Sequence, residues 1–128
     1  MSHTHPMVLI ADSKRERVLE LSLALSARGI AVYECDRVRR AIHTLESHSF
    51  AAAFVSWDLP VANSADLVRA LTSAGTGTII VAEPTSAPSS AEAVRAGALD
   101  LVLDPVDSES LASHLDFIVS EARLLRTA

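Results

Sequence analysis

Cysteine is almost absent from this chain. Cys35 is the only one in 128 residues, so no internal disulfide can form and no multi-thiolate metal site can be built. Aromatic residues are scarce as well: three Phe, one Tyr and one Trp. That scarcity disfavours an aromatic-rich β-sandwich and suits helices packed on a sheet, with Ala, Leu and Val supplying the apolar surface. Long apolar runs are missing, the strongest falling well short of the ~20 residues of a membrane helix. The lead-in MSHTHPM also lacks the charged region and long apolar core of a signal peptide. Neither secretion nor membrane insertion is expected, and a reducing cytoplasm fits the lone thiol. Positive charge is in deficit too, with a formal net charge of −5. Six of the basic residues form two clusters, Lys14, Arg15, Arg17 and Arg37, Arg39, Arg40, which read as solvated helix faces. An acidic whole repels a phosphate backbone, so direct nucleic-acid binding is not expected.

What is present organises around Phe50 to Pro60, FAAAFVSWDLP. An apolar run from Ala51 to Val55, bounded by a polar break and a proline, has the look of a strand buried on both faces of a parallel sheet. Met7 to Ala11, Ile30 to Glu34, Thr78 to Ala82 and Leu99 to Leu103 read as four more strands. Helical periodicity fills the gaps between them. Ser13 with Glu16 and Ser89 with Glu92 have the spacing of capping boxes, and Asp36 and Asp107 can cap two further helices. Val18, Leu21 and Leu25 with Leu19 and Leu23 beside them, then Val38, Ala41, Ile42 and Leu45, then Leu67, Val68 and Leu71, recur at helical spacing. Leu111, Leu115, Ile118, Val119 and Ala122 give a last helix its stripe. Gly29 and Gly97 are placed to end helices. Strands and helices alternating five times predict an α/β fold: a five-stranded parallel sheet with helices on both faces, flavodoxin-like. Residues 1–6 read as a disordered lead-in that includes His3 and His5, 7–123 as one domain, and 124–128 as the end of the last helix or the start of a linker.

In such sheets chemistry collects beyond the carboxyl ends of the strands. There the sequence places Asp12 and Ser13, Ser56 to Asp58, Ala82 and Glu83, and Asp104. The carboxylates Asp12, Asp58, Glu83 and Asp104 suit a hard cation such as Mg²⁺, and equally suit helix caps and turns. Ser56 has no histidine nearby in sequence to activate it, since His43, His48 and His114 fall on or beside helices; it reads as structural rather than nucleophilic. Trp57 reads either as an interaction anchor or as a half-buried cover for the rim.

The order of elements and the residues at their ends resemble the receiver domain of bacterial two-component response regulators, from about Met7 to Arg123. Phe50 to Pro60 is similar without a gap to that family's third strand, in which the phosphorylated aspartate comes four residues before a proline. Here that position is Ser56. Ala93 to Pro105, AVRAGALDLVLDP, resembles the family's fourth helix and fifth strand. In the family a lysine precedes that proline through a cis bond; here Asp104 does. The resemblance places the family's acidic pair on Asp12 and Ser13, so one of the two Mg²⁺-holding positions is kept. The hydroxyl position falls on Ala82, the aromatic switch position on Leu101 and the small glycine on Ser64.

Receiver chemistry moves a phosphoryl group onto a carboxylate, with Mg²⁺, a lysine and a hydroxyl holding its oxygens. A serine cannot form the acyl phosphate, and Asp104 reverses the sign of the group that should meet it. The resemblance therefore implies a degenerate pseudo-receiver of the phosphorelay and two-component world, not an enzyme, working by protein–protein interaction. No cofactor is expected; Asp12 and Asp58 are the candidate ligands should Mg²⁺ bind. The family's partner and dimerisation surface would here include Glu92, Arg95, Leu101, His114 and Phe117, with Phe117 and Leu124 as a contact seam on the last helix. The implied partner is a signalling protein, an output domain in a longer chain, or a second copy. Two alternatives remain beside this reading: a sensor of a divalent cation or small ligand at the rim, and an enzyme of flavodoxin-like architecture. The second lacks both a Gly-rich phosphate loop and a nucleophile–base pair.

Overall fold

Ten elements alternate along the chain in a computed structural model that describes residues 6–127, with side chains to residue 122. They are β1 (Met7–Ala11), α1 (Arg15–Ser26), β2 (Ala31–Cys35), α2 (Val38–Thr44), β3 (Ala52–Ser56), α3 (Ser64–Ser73), β4 (Gly77–Ala82), α4 (Ser90–Ala96), β5 (Asp100–Leu103) and α5 (Ser108–Thr127). His3, His5 and the side chain of Leu124 lie outside the described residues. Every strand pairing is parallel, in the order β2-β1-β3-β4-β5. β1 and β3 therefore sit inside the sheet, while β2 and β5 form its edges.

The pleat sends alternate residues of each strand to opposite faces, and this divides the core in two. Val8, Ile10, Phe54, Ile79 and Val81 pack beneath α1 and α5 with Leu21, Leu25, Leu115 and Val119. Leu9, Ala11, Val55 and Ile80 pack on the other side with Val38, Ala41, Leu67, Val68, Leu71, Ala93 and Ala96 of α2, α3 and α4. β3 is buried along its whole length, and fully burying a side chain such as Phe54 is worth about 1.5–3 kcal/mol.

The helix starts depart from expectation in two places. α1 begins after Lys14 with no side-chain cap, so the Ser13–Glu16 capping box does not form. Asp12 accepts from the backbone N–H of Lys14 instead, at 2.9 Å. α2 likewise begins after Arg37 with no side-chain cap, and Asp36 does not serve as one. The Ser89–Glu92 box is present, and Asp107 accepts from the backbone N–H groups of Glu109 and Ser110. Leu19 and Leu23 turn outward, 60% and 64% exposed, because Arg17, Val18, Leu21, Ala24 and Leu25 take the inward stripe of α1.

Candidate functional site

Four loops meet beyond the carboxyl ends of β1, β3, β4 and β5, and each brings a carboxylate. Asp12 follows β1, is 4% exposed, and is the one carried inward. Asp58 lies two residues past β3, Glu83 follows β4 and Asp104 follows β5. Four carboxylates on one rim would repel one another. The fold answers with two cations from the start of α1.

Arg17 reaches back from the first turn of α1. Its Nη2 donates to Oδ1 of Asp12 at 2.9 Å and its Nε to Oδ2, so both oxygens of the carboxylate are engaged by one guanidinium. Its Nη1 donates to Oδ1 of Asp104 at 2.9 Å. Lys14, the only lysine in the sequence, donates from Nζ to Oδ2 of Asp104 at 3.1 Å and to Oε1 of Glu83 at 2.9 Å. The result is a continuous chain, Asp12, Arg17, Asp104, Lys14, Glu83, that ties three loops together.

The two ends of this chain differ in burial. The Arg17 side chain is 9% exposed and that of Asp12 0%, so their pairing is set in a low-dielectric surround; Lys14 is half exposed. Burial alone would lower the pKa of the Arg17 guanidinium, but hydrogen bonds to Asp12 and Asp104 and their charges raise it above its ordinary value. It remains charged. Lys14 is raised by its hydrogen bonds to Glu83 and Asp104. Asp104 is held below the ordinary carboxylate range, chiefly by the hydrogen bond from Lys14 and also by that from Arg17, against an opposing effect of desolvation.

Arg17 lay in a cluster expected to be a solvated face, and that expectation is overturned. It stands one turn before Leu21 and two before Ala24, on the stripe that packs against the sheet. A charged residue at an inward position, with an aspartate at the end of the preceding strand, was the available signal.

The remaining candidate positions surround this chain. Ser56 ends β3, is 2% exposed, and its Oγ accepts from the backbone N–H of Asp58 at 3.3 Å. Ala82 ends β4 and is buried, while Ser13 faces solvent. Asp58 turns toward the loop after β4: Ser86 donates to its Oδ1 at 2.8 Å and the backbone N–H of Glu83 to its Oδ2 at 3.4 Å. Trp57 is half-buried against the α2–α4 side of the core and lines a groove with Asn63, Arg69, Glu92 and Arg95. The peptide bond between Asp104 and Pro105 is cis.

A divalent ion does not fit this donor set. Mg²⁺ requires several oxygens in octahedral array. Both oxygens of Asp12 are held by Arg17, those of Asp58 by Ser86 and Glu83, and Ser56 contributes a buried hydroxyl in place of a carboxylate. Among the described residues no group of three or more His, Cys, Asp or Glu side chains is arranged to hold a metal ion.

The other candidate surface lies at the β5 edge. Glu92 and Arg95 are exposed on α4, Leu101 is half-buried, and Phe117 on α5 is 62% exposed. His114 sits with Nδ1 3.8 Å from Oδ2 of Asp100. Val94 on α4, Leu99 just before β5 and Leu103 at its end, also exposed, add apolar area. No described helix is long and apolar enough to cross a membrane.

No family model matches the chain, and no curated protein matches it. Solved structures do. A CheY-like response regulator receiver domain protein from Methanospirillum hungatei JF-1 is 20% identical, with a TM-score of 0.83 over 94% of this chain and 98% of its own. The signal receiver domain of a putative Luxo repressor protein from Vibrio parahaemolyticus is 17% identical, with a TM-score of 0.85 over 97% of each chain. A response regulator protein from Burkholderia pseudomallei, solved with a phosphorylated aspartic acid, calcium ion and citrate, is 20% identical, with a TM-score of 0.74 over 94% of this chain and 72% of its own. Shared strand order, helix placement and chain length at so low an identity establish architecture: this chain has the fold of the response-regulator receiver domains.

Proposed function

We propose that the chain is a phosphorylation-independent pseudo-receiver of cytoplasmic signal transduction that acts by binding another protein. The observation that carries this reading is the pairing of Asp104 with Arg17 and Lys14 at the rim. The position from which the family's lysine would hold a phosphoryl group is instead anionic and already neutralised. The resemblance puts Ser56, a buried hydroxyl, at the position where the receiver family carries its phosphorylated aspartate. A phosphoryl group arriving there would meet the carboxylates of Asp12, Asp58 and Asp104, and the two nearby cations, Lys14 and Arg17, are already bound to carboxylates.

Function then rests on surface and not on transfer chemistry. The face formed by α4, β5 and α5 supplies exposed Val94, Leu99, Leu103 and Phe117 with Glu92, Arg95 and His114 around them, a mix of apolar area and charge suited to a protein partner. The candidate partners are another signalling protein, an output domain in a longer chain, and a second copy of the chain. No histidine among the described residues bonds to Ser56, which supports a non-catalytic role. The cation-sensor alternative has weaker support, because Asp12 and Asp104 are occupied by Arg17.

The test is incubation with acetyl phosphate and Mg²⁺ followed by intact mass. An unmodified mass is expected. A stoichiometric phosphoryl adduct would overturn the reading.

A further inference from the structure

The geometry points to Arg17 as a resident cation, tethered to α1, that takes the place of a divalent ion in this crevice and holds the rim assembled without metal. The inference stands on the site alone and does not depend on which partner the domain binds.

Three observations carry it. The guanidinium engages both oxygens of Asp12 and one of Asp104, so a single group satisfies carboxylates from the ends of β1 and β5. It is 9% exposed and stands on the inward stripe of a 12-residue helix, with Val18, Leu21, Ala24 and Leu25, so its position is set by packing as well as by charge. Lys14 closes the outer side by bridging Asp104 to Glu83. An ion seeking Asp12 would have to break a two-pronged pairing that is mostly out of water and that the same guanidinium anchors to Asp104 as well.

Removing Arg17 leaves a buried carboxylate, Asp12, facing Asp104 with nothing between them but the space the guanidinium filled. Two carboxylates so placed repel one another, and a hard divalent cation is the ligand that relieves the repulsion. Deleting the tethered cation should therefore create a metal dependence that the natural chain lacks. An arginine serving only as packing would leave no such dependence.

The experiment compares the wild-type chain with Arg17→Ala and Arg17→Gln, reading thermal unfolding with and without millimolar Mg²⁺ or Ca²⁺, and backbone amide NMR of the wild type through the same titrations. The expected result is a wild-type midpoint and spectrum indifferent to either ion near Asp12 and Asp104. The variants should melt lower in metal-free buffer and regain at least about 3 °C when the ion is supplied. Saturable shifts of Asp12 or Asp104 in the wild type would overturn the inference, and this arm needs no variant to fold. Folded variants that ignore both ions would overturn it as well. Because no phosphoryl donor is present, these outcomes are separate from those of the acetyl phosphate test.

Discussion

Arg17 and Asp104, 87 residues apart in sequence, meet at 2.9 Å across the carboxyl rim of the sheet. The pair joins the first turn of α1 to the loop after β5, the first βα unit to the last. At the position where the resemblance calls for a lysine the chain has an aspartate, and the missing positive charge is supplied from α1. The sign of the crevice is rearranged rather than simply lost.

Asp104→Lys, which restores the residue type of the resemblance, should for this reason be destabilising. The new ammonium would face Arg17 and Lys14, and Glu83 and Asp12 could not satisfy three cations. A loss of about 3 kcal/mol is expected from urea unfolding, and Asp104→Asn should lose less. A lysine variant as stable as the wild type would mean that the rim network contributes little.

Acid should uncouple the same pair. Since the native pKa of Asp104 is depressed by Lys14 and Arg17, the unfolded chain takes up this proton first as pH falls. The stability it confers is complete above the ordinary aspartate pKa of about 3.9 and is lost as pH drops through the lower native value. The urea midpoints of wild type and Asp104→Asn should differ at about pH 6 and converge toward about pH 3. A gap that stays constant over that interval would exclude Asp104 as the titrating group.

Val61 follows Pro60 in the loop after β3 with φ of 78°, and its side chain is fully exposed. A β-branched residue in the left-handed region is strained by roughly 1–2 kcal/mol, and here no burial offsets the strain. Val61→Gly or Val61→Asn should raise stability by about 0.5–1 kcal/mol after the greater freedom of glycine in the unfolded chain is allowed for. Differential scanning calorimetry reads this directly; an unchanged or lower midpoint in both variants would show that the loop relaxes without help.

Gly97 is the opposite case. It ends α4 with φ of 105°, and a Cβ there would stand 2.2 Å from Oγ1 of Thr72 on α3. Gly97→Ala should lose about 2 kcal/mol or more, through backbone strain and the displacement of α4 from α3. Wild-type stability in this variant would mean that Thr72 swings clear at no cost.

The inner strands β1, β3 and β4 were legible because burial on both faces leaves a short apolar run, whereas the edge strands β2 and β5, only partly buried, were legible from their place between helical stripes. β1 runs over the expected residues, and β3 differs by one at each end, which makes Ser56 the last strand residue rather than the first beyond it. The stripes of α3 and α5 were legible from spacing alone. The start of α1 was not. Ser13 and Glu16 have the spacing of a cap, but the carboxylate of Asp12 takes the amide of Lys14, and the helix begins after that residue. The positions at which the resemblance places a receiver's catalytic residues could be found by counting from Pro60 and Pro105. What surrounds them was legible only in part: Arg17, unlike Arg15, falls on the inward stripe of α1 five residues after Asp12, but its second partner, Asp104, lies far along the chain and no local spacing announces it.

Under the proposed function the crevice carries no phosphate switch. Backbone amide NMR of the natural chain, first with Mg²⁺ and then with Mg²⁺ and beryllofluoride, tests it most directly. The resonances of Asp12, Ser56, Ala82 and Asp104 are expected to stay where they are through both additions. Shifts at these residues that require beryllofluoride would contradict it and restore the crevice as a working phosphoryl site.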